Sequence, residues 1–301
     1  MLNQKTDTLF QKPAYITPSW TDSIREEMNR VELRLRATPK GQHDMLTNTI
    51  HELFNAGGKR VRPSVCLLTA RLMNADMDNS ISIAAAVEML HTATLVHDDL
   101  IDGAMFRRGI ATLNSIWSSD VSVLAGDYLF ARAASLIAEV EIVPVMKLFA
   151  RTLEVILNGE ITQKFSKWQI DRKEYEDRIY AKTAALFILS TQSAALLAGA
   201  KPASLKALVE FGYSIGMAFQ IVDDVLDYVG TEDKMGKPIG GDLRQGLFTL
   251  PAILFSKAHP QDEDIQTLLA NRETDPVLTE RVIEKIQNSG FIQSALDEAR
   301  A

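Results

Sequence analysis

Cysteine is almost missing from this chain: Cys66 is the only one in 301 residues, which excludes an internal disulfide and fits a reducing compartment. It stands in the apolar run SVCLLTA and reads as a buried structural thiol rather than a nucleophile. Long basic runs are missing too. The net charge is −7, and the basic clusters Lys59-Arg60-Val61-Arg62 and Arg107-Arg108 are short and local, a poor match for nucleic acid and a better one for a small anion. The N-terminus, MLNQKTDTLFQKPAYITP, has no continuous apolar stretch of the signal-peptide kind. The longest uncharged run, residues 183–200, contains Thr183, Ser190, Thr191, Gln192 and Ser193 and reads as a buried central helix. No transmembrane segment is expected, and the protein reads as cytoplasmic. Alternating strand patterns, low-complexity tracts and a Pro/Ser-rich linker are absent as well, and no Ser-His or Cys-His motif suggests a protein nucleophile.

What remains is helical. An apolar share of 46% supports a sizeable core, and a charged share of 24% is ordinary. Residues 1–18 carry Pro13 and Pro18 and read as an extended lead-in. From Ser19 onward Trp20, Ile24, Met28, Val31 and Leu35 recur at helical spacing until Thr38-Pro39 stops the helix. A second helix runs from about Asp44 to Phe54 and stops at Gly57-Gly58, and Pro63 fits a first helical position for the next. Ser80 is a suitable cap for the long helix ISIAAAVEMLHTATLVHDDLID. Further helices are expected near 120–139, 143–167, 174–199, 203–229, 249–258, 261–270, 276–288 and 290–301. The expectation is one all-α domain over 19–301, a bundle of ten or more helices around a central apolar cavity.

Two aspartate clusters interrupt this apolar pattern. Asp98, Asp99 and Asp102 close one long helix, just before Arg107 and Arg108; Asp223, Asp224 and Asp227 close another. In each cluster the first and last aspartates are four residues apart and share a helical face. Two like charges so placed repel by roughly 3 kcal/mol at an effective dielectric near 20. A lone DDxxD is usually a solvated helix face; two copies, each ending an apolar helix, call for a compensating charge. Carboxylate oxygens suit a hard cation, and Mg²⁺ characteristically combines one or two of them with substrate phosphates. The natural guest is therefore a diphosphate, met by metal ions and basic side chains. Both helices turn apolar below their aspartates, so the rest of that guest should be hydrocarbon. The face leading to Asp223 also carries Gly212, Gly216, Phe219 and Gln220, where another backbone or a ligand could approach closely.

These residues fall into a recognisable series: GGKRVRP at 57–63, EMLHTATLVHDDLID at 88–102, RRG at 107–109, GD at 126–127, AKT at 181–183, FQIVDDVLD at 219–227, GKPIGGDL at 236–243 and TLP at 249–251. In order and spacing the chain resembles the all-trans polyprenyl diphosphate synthases over nearly its whole length. The resemblance implies an isoprenoid synthase fold, usually as a homodimer, and a prenyltransferase that joins an allylic prenyl diphosphate to isopentenyl diphosphate with several Mg²⁺ ions. It implies Asp98, Asp102, Asp223 and Asp227 at the metal, with Asp99 and Asp224 in support. Arg107, Lys182 and Lys237 would meet the allylic diphosphate, and Lys59, Arg62, His91 and Arg108 the isopentenyl diphosphate. Thr183 and Gln220 would lie near the reacting carbons, beside the catalytic Lys182 and Lys237.

Three departures qualify the resemblance. Leu247 stands where many relatives have lysine, relatives commonly continue for about a further helix beyond Ala301, and Gly103-Ala104-Met105-Phe106 is less polar than usual. Product length follows from the helix before Asp98. Val87, Leu90, Ala93 and Thr94 are expected to line the elongation pocket, and the small Ala93 and Thr94 argue for a product of about twenty to forty carbons, with Phe130 or Leu136 as a floor. Competing readings fare worse. A terpene cyclase has no need of GGKRVRP or a second DDxxD. A di-iron bundle needs two Glu-x-x-His motifs, and only Glu88-x-x-His91 is here. A non-catalytic or partner-dependent subunit of a heteromeric prenyl diphosphate synthase is the remaining alternative, although both aspartate clusters are intact.

Overall fold

The computed structural model describes residues 19–37, 43–55, 57–107, 110–229, 239–273 and 275–301. The lead-in over 1–18, Arg108 and Lys237 lie outside the described residues. Among those described, regular structure is almost entirely helical, as expected; the one strand pairing is a two-residue ladder, Phe106–Arg107 with Ile110–Ala111. The chain forms two compact units: residues 1–150 with 189–209, and residues 151–188 with 210–301.

The first unit opens with a 3₁₀ turn, Ser19–Ile24, followed by α1 (Arg25–Arg36), α2 (Asp44–Asn55), α3 (Val61–Leu72) and α4 (Met77–Ile101). Then come the ladder, a short α5 (Leu113–Ile116), α6 (Ser119–Ala138) and the start of α7 (Val143–Phe165). Helix α4 is the axis of this unit, packed on α1, α3 and α6. From Ser80 to Leu90 it is buried all round, which the small residues Ala84, Ala85 and Ala86 permit by allowing close approach. Its buried hydroxyls are satisfied one turn back, Ser80 Oγ donating to the Asp76 carbonyl at 2.6 Å. The cap is Asp76 rather than Ser80: its carboxylate accepts the Asn79 N–H at 2.8 Å, and the helix starts a turn earlier than expected. Pro63 likewise sits inside the first turn of α3, not at its first position. Cys66 has no solvent exposure, and burial pushes its thiol up to about 12.

The second unit contains the rest of α7, α8 (Arg172–Ile179), a π-helical turn at Tyr180–Ala184, the start of α9 (Ala185–Leu197) and most of α10 (Pro202–Val229). It closes with α11 (Gly241–Arg244), α12 (Leu250–Ala258), α13 (Glu263–Asn271), α14 (Pro276–Gln287) and α15 (Phe291–Arg300). Tyr175, Ile221, Val225, Tyr228, Phe248 and Ile253 are buried in its core. Gly216 serves close approach as its position suggested: a Cβ there would lie 2.5 Å from Ala184 Cα, so α10 rides directly on the π turn. By length and composition alone, α6 and α10 could each cross a membrane. Packing against α4 accounts for α6, whereas α10 leaves Phe211, Phe219, Val222 and Leu226 exposed. The uncharged run is buried as expected, Ser190, Thr191 and Ser193 having no exposure.

Candidate active site

In the first unit, α4 ends in the aspartates. Asp98 is half-buried and Asp102 exposed at the C-cap, where its N–H donates to the Asp98 carbonyl at 2.9 Å. Asp99 faces the other way, 8% exposed, and accepts from Arg107 Nε at 2.8 and 3.0 Å. Burial raises its pKa, the Arg107 guanidinium opposes that, and Asp102 adds to it. The return of the chain explains the pairing: Gly103 takes a left-handed φ of 64°, and the ladder swings Arg107 back over the helix end. Behind Asp98, His97 Nε2 lies 3.2 Å from the Val123 carbonyl and 3.6 Å from Asp127 Oδ1, which gives the GD pair a local role.

The basic stretch preceding α3 is anchored on Arg60. Its backbone is left-handed, φ 49°, and its guanidinium donates to Glu32 at 2.6 Å, to Glu88 at 2.9 Å and to the Phe54 carbonyl at 3.1 Å. Lys59 is exposed and Arg62 buried beside it, while His91 is half-buried one turn beyond Glu88. Arg60 thus ties this stretch to α4 and occupies the carboxylate that a Glu-x-x-His metal motif would need. The residues proposed to line the pocket divide: Val87, Leu90 and Ala93 have no exposure, whereas Thr94 is half-exposed with its hydroxyl on the His91 carbonyl at 2.7 Å. Phe130 packs edge-on to His97 at 5.2 Å, level with the aspartates, so it is no floor deeper down.

In the second unit, α10 presents Asp223 to solvent and buries Asp224 and Asp227 at 3% exposure each. Asp227 Oδ2 accepts the Asp242 N–H at 3.2 Å, and the Asp227 carbonyl accepts the Gly240 N–H at 2.8 Å, which pins the start of α11. Asp224 accepts from Tyr175 O–H and Gln220 Nε2, both at 2.8 Å. Burial and the nearby Asp242 charge push Asp224 well above the usual carboxylate range, against the pull of Gln220 and Tyr175. Gln220 Oε1 in turn accepts the Thr183 hydroxyl at 2.5 Å. Thr183 and Lys182 lie on the π turn, an element that often marks functional sites. Lys182 Nζ donates to Glu160 at 3.1 Å. Leu247 is buried at 7% exposure, an apolar position in this chain. Sequence reading missed Tyr175, Glu160 and Asp242, and it grouped Arg60 with the anion-facing cations although its guanidinium is taken by Glu32 and Glu88. Tyr175 left one signal, a lone aromatic in the charged stretch RKEYEDRI, and Asp242 stands inside GKPIGGDL.

The donor set suits a hard cation: both clusters offer carboxylate oxygens only. Among the described residues no three His, Cys, Asp or Glu side chains form a closed cage.

The family model described as Polyprenyl synthetase matches residues 43–286. The chain belongs to that family. Among similar proteins is heptaprenyl diphosphate synthase component 2 of Geobacillus stearothermophilus, 38% identical over 274 residues, covering 90% of this chain and 84% of the relative. Decaprenyl diphosphate synthase of Rhodobacter capsulatus superposes with a TM-score of 0.84 at 33% identity, covering 93% of this chain and 88% of the other. A polyprenyl synthase of Caulobacter crescentus CB15, solved with calcium and isoprenyl diphosphate, gives 0.82 at 36% identity, covering 93% and 87%. The polyprenyl synthetase fold is thus all-α here as in its neighbours, and the protein is a trans-prenyltransferase of the chain-elongating kind.

Proposed function

We propose that this protein condenses an allylic prenyl diphosphate with isopentenyl diphosphate, with Mg²⁺, and releases an all-trans polyprenyl diphosphate of about twenty to forty carbons. The observation that carries the reading is a pair of carboxylate clusters, each ending a long apolar helix, in a member of this family. In this reading Asp98, Asp102 and Asp223 hold the metal, and Asp227, committed to the Asp242 backbone, supports them. Bound Mg²⁺ would neutralise the diphosphate and improve it as a leaving group. Arg107, Lys182 and Lys237 bind the allylic diphosphate; Lys59, Arg62, His91 and Arg108 hold the isopentenyl one. The allylic C–O bond breaks and its electron pair leaves with the diphosphate. Thr183 and Gln220 turn oxygen dipoles toward the allylic cation. The isopentenyl double bond then attacks, and the proton lost from the new chain passes to the departed diphosphate.

The test is an incubation of purified protein with isopentenyl diphosphate, Mg²⁺ and, separately, five-, ten- and fifteen-carbon allylic diphosphates, products being sized by mass spectrometry. A ladder ending at one length and abolished by a chelator is the expected result. No product from any starter, with the protein folded, would overturn the reading for the isolated chain. We place the protein in the cytoplasm as a homodimer. The name of the Geobacillus relative, component 2, motivates a second reading, a subunit active only with a partner chain; elongation that appears only after a partner is added would select it.

A further inference from the structure

The π turn and α10 are joined by a chain of hydrogen bonds that begins outside every motif quoted above. Tyr175 on α8 is 1% exposed, its ring in the core of the second unit with the Arg178 guanidinium 5.6 Å from its centroid. Arg178 is itself fixed, donating from Nη2 to the Phe248 carbonyl at 2.8 Å. The Tyr175 hydroxyl donates to Asp224 Oδ2 at 2.8 Å, and Asp224 Oδ1 accepts Gln220 Nε2 at 2.8 Å. Gln220 turns its amide nitrogen toward Asp224 and its oxygen away. That oxygen lies 2.5 Å from Thr183 Oγ1, which must therefore donate. With its proton committed, the threonine hydroxyl has lone pairs, and not a proton, to offer a cationic carbon.

We propose that Tyr175 is a positioning residue for prenyl transfer, locking Asp224 so that Gln220 and Thr183 can present only oxygen lone pairs to the allylic cation. The proposal rests on the prenyl-transfer reading above and on the roles it gives Thr183 and Gln220. Tyr175 touches no substrate atom in this scheme. Removing its hydroxyl frees the Asp224 carboxylate to rotate, and Gln220 with it loses a defined orientation. Buried networks of this kind couple, so the effects of breaking them at two points do not multiply.

The experiment uses the full chain and four proteins: wild type, Tyr175→Phe, Thr183→Val and the double variant. Tyr175→Phe is expected to lower kcat about tenfold or more while KM for both diphosphates stays within about twofold. The double variant should be no slower than Thr183→Val alone by more than about twofold, a coupling that a merely structural tyrosine would not give. Unchanged kcat in Tyr175→Phe, or losses that multiply, would overturn the proposal. A wild type that elongates beside an unimpaired Tyr175→Phe sinks this proposal alone; a wild type that elongates nothing sinks the prenyl-transfer reading and this with it. Should Tyr175→Phe fold poorly, Asp224→Asn decides the matter. Its amide meets Tyr175 with the oxygen and Gln220 with the nitrogen, reversing the Gln220 amide. A similar kcat loss at an unchanged Mg²⁺ requirement supports the lock, and a raised Mg²⁺ requirement assigns Asp224 to the metal and overturns it.

Discussion

Gly126 has room for a hydrogen and nothing larger. A Cβ there would lie 2.2 Å from His97 Nε2, and the ring has little freedom to retreat because Phe130 packs against it. Gly126→Ala should therefore cost about 1–3 kcal/mol of overpacking and disturb the residue adjoining Asp98. The expected signature is a lower melting midpoint together with a raised Mg²⁺ concentration for half-maximal rate; an unchanged Mg²⁺ requirement would detach His97 from the metal site. Thr94 and Ala93 make a second comparison. Both are small, and sequence alone treats them alike. Burial separates them: Ala93→Phe forces a ring into a site with no exposure, whereas Thr94→Phe projects from a half-exposed one. Thr94→Phe is expected to shorten the product at near-normal stability, and Ala93→Phe to lower the melting midpoint first. Mass spectrometry beside thermal melts reads both. Residue types and spacing made the two aspartate clusters stand out in the sequence, whereas the roles proposed for Thr183 and Gln220 came from the resemblance of AKT and FQIVDDVLD to the family's motifs. The contacts of Arg60, Tyr175 and Asp242 were not legible there, because a hydrogen bond between distant elements leaves no periodicity.

Among the elements, α3 and α4 depend on one buried ion pair. Arg60 and Glu88 expose 10% and 7% of their side chains, and the pair holds the stretch bearing Lys59 and Arg62 against the helix bearing His91. Glu88→Ala should destabilise the fold by about 1.5–3 kcal/mol, since Arg60 loses one buried charged partner while keeping Glu32 and the Phe54 carbonyl. Chemical denaturation would measure that loss, and a change under about 1 kcal/mol would mean that Glu32 suffices alone. Helices α13 and α14 rely on a more exposed contact. Hydrogen bonds from Arg281 and Lys285 lower the Asp264 carboxyl from 3.8 to about 2. A folded-state pKa depressed in this way contributes stability that is present above about pH 4 and lost as pH falls toward about 2. Asp264→Asn should thus melt below wild type at neutral pH, with the two curves converging near pH 2. A gap that persists there would assign the effect to packing. Helix positions were largely legible from apolar spacing and stop signals, but the start of α4 was not: Asp76 and Ser80 are both competent caps, and only the geometry chooses.

For the whole molecule, the division into two units left no trace in the sequence, and the reason is physical. It falls between residues 150 and 151, 188 and 189, and 209 and 210, inside helices, so no linker composition marks it. The aspartates of α4 belong to the first unit and those of α10 to the second. Among the described residues neither cluster forms a closed cage of three acidic, histidine or cysteine ligands. Mg²⁺ is characteristically held by one or two carboxylates together with substrate phosphates, so metal and diphosphate should stabilise the fold together far more than separately. A ligand at a hundred times its Kd adds about 2.7 kcal/mol, and in a chain of this size that corresponds to a rise of about 5 °C in the melting midpoint. Inorganic pyrophosphate with Mg²⁺ is expected to give such a rise, with either alone giving less than about a third of it. In Asp98→Asn and Asp223→Asn the joint rise should collapse toward the separate values. If Mg²⁺ alone gave the full shift, the carboxylates would hold the metal without the substrate, and the joint stabilisation by metal and diphosphate would be wrong.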